Sequence, residues 1–142
     1  MFLDLLFSLS FLVALVGWIA LAVAPLRPGL LLRIGGRVVP VILSVGYVLL
    51  AATYFPDASG GLTSLPEALV FFTAPGVLLA GWVHYLAFDL VVGAWAVRDA
   101  RTRGVPHLAV LPCLVLTMML GPVGFLAYMA VRAIFARRGA TA

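Results

Sequence analysis

The stretch GVLLAGWVHYLAFDLVVGAWAV, residues 76–97, sets one imidazole, His84, and one carboxylate, Asp89, inside an otherwise uncharged apolar run. Its length matches the ~20 residues that cross a bilayer core of about 30 Å. A carboxylate near the centre of such a span costs about 2.5–3.5 kcal/mol on insertion scales, so Asp89 should face a bundle interior and be neutral or paired. A membrane fold requires runs of the same kind to recur along the chain.

They do, over about 3–24, 38–55 and 108–135. Of the 142 residues, 65% are hydrophobic and 10% charged, with a mean hydropathy of +1.22. A soluble domain has roughly half its residues apolar and about a quarter charged. A chain of this size cannot hide that excess in a core of its own. The expected fold is an all-α integral membrane protein, one domain over 1–142 built as a four-helix transmembrane bundle. The first run has no basic residues before it and is too long for a signal peptide, so it reads as a retained span of a bacterial protein.

Punctuation between the runs sharpens this. Pro25 and Pro28 end the first run, while Ser44 and Gly46 make the second small enough for close helix approach. In PDASGGLTSLPEALVFFTAPG, residues 56–76, Ser64 is a cap, Pro66 sits in the first turn and Glu67 lies at the favourable end of the dipole. That pattern predicts an interfacial helix over 64–73. The fourth run would make roughly 42 Å of straight helix at about 1.5 Å per residue. It contains GPVG, residues 121–124, and Pro122 cannot donate to Met118, so a kink is expected at Gly121-Pro122.

All nine basic residues are arginine, against five acids, for a net charge of +4. The arginines cluster between apolar runs, so membrane orientation and lipid headgroups account for them, and no nucleic-acid partner is expected. Arg27, Arg33 and Arg37 in loop 25–37, and Arg98, Arg101 and Arg103 in loop 98–107, mark one face. That face should be cytoplasmic in a multi-pass protein of the bacterial inner membrane. Four full spans would strand Arg132, Arg137 and Arg138 on the other side. A re-entrant fourth segment turning at GPVG removes the conflict.

Helical spacing puts Tyr85, Asp89, Val92, Ala96 and Asp99 on one stripe, with Trp82 above Tyr85. His84 lies about 140° round from Asp89 and about 7.5 Å away along the axis. Asp99 can pair with Arg103, four residues on. His107 follows Pro106 and opens the fourth run, where it is a candidate base. His84, Asp89, Asp99 and His107 are thus the candidate catalytic residues, and Trp82, Tyr85, Trp95, Pro122 and Tyr128 the candidate substrate contacts. Each also has a plainer role, as interhelical hydrogen-bond partner, belt aromatic or kink. The lone Cys113 reads as a small packed thiol. The two histidines sit on different elements without HxxxH or ExxH spacing, so no metal site is expected, and no Walker loop or dinucleotide glycine motif implies a cofactor.

Residues 81–132 resemble the ABA-deficient-4-like family, small membrane proteins whose plant members are needed to make neoxanthin. The resemblance rests on HYLAFDL (84–90), DARTRGVPH (99–107), PCL (112–114) and GPVGFLAY (121–128), in that order. It implies a xanthophyll-modifying role without a cofactor. Opening a 5,6-epoxide to an allene and a tertiary alcohol is redox-neutral, and needs an acid at the epoxide oxygen and a base for a ring-side-chain proton. On that implication a protonated Asp89 supplies the acid and His84 the base, with Tyr85 or Trp95 lining an end-ring pocket. The expected partners are a lipid-soluble carotenoid or isoprenoid and membrane lipid, with a homo-oligomer or carotenoid-pathway enzymes as protein partners. Two other classes stay open: a carotenoid-binding or assembly protein without turnover, and a small transporter subunit with Asp89 as its proton or cation site.

Overall fold

The computed structural model describes residues 1–140 of the chain, with side chains as far as residue 136. Every regular element among the described residues is helical: α1 (Phe2–Ala22), a 3-10 turn (Ala24–Leu26), α2 (Pro28–Arg33), a π turn (Ile34–Val38), α3 (Val39–Tyr54), α4 (Leu65–Phe71), α5 (Pro75–Thr102), α6 (His107–Leu120) and α7 (Pro122–Ala140).

Three stretches are long and apolar enough to cross a membrane: Phe2–Ala22, Pro28–Tyr54 and Pro75–Thr102. Inside α1 the hydroxyls of Ser8 and Ser10 donate back to the carbonyls of Asp4 (3.0 Å) and Phe7 (2.8 Å), which satisfies them where water is absent. The second span starts at Pro28 rather than near residue 38, because Pro28 supplies a preset first helical residue and the Gly35-Gly36 pair is absorbed in the π turn. Arg33 and Arg37 therefore stand on a helix and not in a loop. Likewise α5 runs on to Thr102, so Arg98, Asp99 and Arg101 occupy its last turns and the expected loop 98–107 shrinks to the residues after Thr102.

The hub is α5, whose most apolar window is 50% buried against 28% and 22% for the other two spans. Phe7 stacks on Trp82, and Gly93 faces the Trp18 ring, so α1 runs parallel to α5. Gly36 meets Arg98 at one end and Tyr54 meets Gly76 at the other, so the second span runs antiparallel. The amphipathic α4 forms where expected, with the Ser64 hydroxyl accepting from the Glu67 N–H at 3.4 Å and Thr63 donating to the Glu67 carboxylate. Leu65, Leu69 and Val70 stay exposed on it, as suits a helix lying at an interface.

The fourth expected span is not a single kinked helix. It is two short helices, α6 and α7, which fold back on each other at Gly121, whose φ is +47°. Gly124 lies against the Thr117 backbone just past the turn, so closely that a Cβ there would sit 2.1 Å from the Thr117 nitrogen. Only a return of the chain brings residues seven apart into such contact, since along one helix they would lie about 10 Å apart. His107 begins α6 beside the carbonyl of Ala22 at the end of α1, and Gly121 ends it beside Asp89, halfway along α5. Tyr128 on α7 then reaches Asp99 again. The segment enters and leaves at the same end of the molecule, the re-entrant arrangement that removes the conflict in its arginines. Arg132 rejoins Asp99 there at 3.5 Å, while the side chains of Arg137 and Arg138 lie outside the described residues.

Candidate functional site

A break in a helix at membrane depth frees backbone groups that water cannot reach. Pro122 has no N–H to return to Met118, and the hydroxyl of Tyr85 fills that role by donating to the Met118 carbonyl at 3.1 Å. Trp82, Tyr85 and Asp89 share one stripe of α5 at spacings of three and four, and this stripe faces the hairpin tip. Asp89 meets Gly121, where an added Cβ would stand 3.2 Å from its Oδ1. Tyr85 stands one turn before Asp89 on the same stripe. Two polar atoms on the stripe, Trp82 Nε1 and Asp89 Oδ2, are buried with no hydrogen-bond partner among the described residues. Orphaned groups of this kind cost about 1–3 kcal/mol each in a folded protein, which makes them functional candidates.

Beside the stripe a groove of about 1060 Å³ opens sideways between α1, α5 and the end of α6. Its walls include Phe7, Phe11, Trp82, His84, Tyr85 and Met118. Trp82 lies between Phe7 and Tyr85, with ring centroids at 4.9 and 5.7 Å. His84 is exposed at the groove edge, stacked on Phe88 at 4.6 Å and edge-on to Tyr47 at 5.3 Å. It makes no hydrogen bond among the described residues, so both ring nitrogens are open to a ligand. Asp89 does not line the groove; Tyr85 stands between the two.

The remaining sequence candidates lie elsewhere. Asp99 sits about 15 Å further along α5. Its carboxylate accepts from Arg103 Nε at 2.9 and 3.0 Å and from the Tyr128 hydroxyl at 2.7 Å, with Arg132 close by. The i, i+4 pair with Arg103 is the one its spacing suggested. Trp95 packs edge-on against Tyr128 at 5.4 Å and beside Phe125 at 5.7 Å, away from the groove. His107 Nε2 donates to the Ala22 carbonyl at 2.8 Å and ties α6 to the end of α1. Pro122 is exposed at the hairpin tip and Cys113 is buried in the core.

The structure therefore brings Trp82, His84 and Tyr85 into one groove with Asp89 directly behind it, and gathers Asp99, Trp95 and Tyr128 into a separate strut. Phe7, Phe11 and Met118 were not among the sequence candidates. The four-residue spacing of Phe7 and Phe11 was their one local signal, and nothing in it says which helix they face. Searches of curated proteins and of solved structures returned no match. The family model described as ABA DEFICIENT 4-like matches residues 5–128, and the chain belongs to that family.

Proposed function

We propose that the protein modifies an oxygenated, lipid-soluble carotenoid or related isoprenoid by redox-neutral acid/base chemistry in the groove along α5. The observation that carries this reading is the pairing of two orphaned polar atoms, Trp82 Nε1 and Asp89 Oδ2, with an aromatic groove open to the side of the bundle. A rigid polyene suits the apolar walls, and its ring oxygen suits the polar stripe. Family membership is consistent with a carotenoid-related membrane protein.

In the proposed step the Tyr85 hydroxyl turns from the Met118 carbonyl to give its proton to the epoxide oxygen, and a neutral Asp89 carboxyl reprotonates it. The C–O bond opens as that oxygen becomes a hydroxyl. His84 takes the proton from the adjacent side-chain carbon, whose C–H electrons form the new double bond; mass is unchanged, and His84 then releases its proton as Asp89 takes one up, which restores both groups. General acid and base groups each contribute typically 10²–10⁴-fold. Asp89→Asn and His84→Ala, expressed separately in carotenoid-producing bacteria, should each cut conversion by at least about 100-fold. Full conversion by Asp89→Asn would remove the acid assignment. On the same reading the arginine-bearing end faces the cytoplasm of a bacterial inner membrane, because the described arginines all gather at that end.

A second reading is a carotenoid holder without turnover. It is favoured by the position of Asp89 outside the groove lining and by the structural engagement of the Tyr85 hydroxyl. Unaltered pigment that co-purifies with the wild type would select it.

A further inference from the structure

At the arginine-bearing end, away from the groove, α2, the π turn and the last turns of α5 border an open polar pocket of about 480 Å³. Four arginines line it: Arg33 and Arg37 from the second span, Arg98 and Arg101 from α5. A signal for membrane orientation requires basic residues near the right end of each span. It does not require that side chains more than sixty positions apart converge on one cavity. We propose that this pocket is a binding site for a phosphate-bearing anion, supplied either by an anionic lipid headgroup or by a free phosphate or diphosphate compound.

The charge balance supports the assignment. None of the four arginines has a carboxylate partner among the described residues, whose ion pairs are confined to Asp4 and Asp99. Asp99 is close in sequence but already holds Arg103, Arg132 and the Tyr128 hydroxyl, so it does not neutralise the pocket. Four like charges around one cavity repel, and at the edge of a low-dielectric slab that repulsion is screened less than in open water.

The geometry is also set in advance. Arg98 Nη2 donates to the carbonyls of Leu32 (3.4 Å) and Gly36 (3.3 Å), on either side of the π turn's first residues. This fixes the guanidinium while leaving other N–H groups of its fork free, and planar forks match phosphate oxygens two at a time. Gly36 lets Arg98 lie there, since a Cβ on it would stand 2.4 Å from Arg98 Nη2. The π turn thus aligns two arginines of the second span with two of α5.

The test uses the full-length protein and an Arg33→Gln, Arg101→Gln double variant. Both residues are exposed and hold no ion pair among the described residues, so the variant should fold; Arg27→Gln, outside the pocket lining, controls for general charge loss. Each protein is purified in detergent, exposed to mixed phosphatidylglycerol and phosphatidylcholine, and analysed by native mass spectrometry for retained lipid. Each is also titrated with inorganic pyrophosphate and followed by thermal shift. Wild type and Arg27→Gln should retain phosphatidylglycerol or respond to pyrophosphate, and the double variant should bind about 10-fold or more weakly. Retention of the lipid without a pyrophosphate response identifies a headgroup site; a pyrophosphate response identifies a site for a free phosphate compound. If the wild type shows neither, or the folded double variant matches it in both, the proposal is overturned.

Discussion

At the scale of single residues, Tyr85 is the side chain that joins fold and chemistry. Its ring lines the groove and its hydroxyl caps the Met118 carbonyl left open by Pro122. Leaving such a carbonyl unsatisfied would cost about 1–3 kcal/mol by the measure of soluble proteins, whereas interhelical hydrogen bonds in membranes average nearer 0.6 kcal/mol because other partners are found there. The second figure is the appropriate one at this depth. Tyr85→Phe should therefore lower stability by only about 1 kcal/mol, seen as a small fall in melting temperature in detergent. Conversion should fall far more, because the proposed proton path loses its middle member. A stability loss with conversion intact would reduce Tyr85 to a helix cap. The stripe of Trp82, Tyr85 and Asp89 was legible in the sequence, because a 3.6-residue period fixes which side chains of one helix share a face. That Asp89 would stand behind Tyr85 was not legible, since it depends on where the tip of another element comes to rest.

At the scale of elements, the hairpin of α6 and α7 is the feature that the sequence left ambiguous. A glycine and a proline at residues 121 and 122 serve equally for a kinked span and for a return, and hydropathy is the same for both. The arginine count favoured a return, since it puts Arg132 on the face already marked by Arg98, Arg101 and Arg103. The structure agrees through contacts at both ends: Gly121 beside Asp89, and Tyr128 and Arg132 upon Asp99. The start of the second span was missed for a related reason. Arg33, Arg37 and the Gly35-Gly36 pair interrupt its apolar pattern, yet a π turn carries the helix through them. A reporter active only in the cytoplasm, fused after residue 142, should report the same side as one inserted in the loop at Gly104. Opposite sides for the two would mean that the segment crosses after all.

At the scale of the whole molecule, the chain separates two kinds of surface. One end gathers the described arginines, four of them around a polar pocket, and the flank carries an aromatic groove beside a half-buried, partly unsatisfied stripe. Three helices long and apolar enough to cross a membrane, and the short helix after Ser64, were legible from composition and punctuation, because bilayer thickness and helix caps constrain them directly. The groove walls contributed by α1 and α6 were not, because close packing of separate helices decides them. Pigment analysis by liquid chromatography and mass spectrometry tests directly whether the groove turns over a carotenoid. Bacteria that make epoxidised and hydroxylated carotenoids would be compared with and without this protein. A new pigment of unchanged mass should appear only when the protein is present. A pigment profile identical in both cultures, with no carotenoid retained by the purified protein, would contradict that expectation.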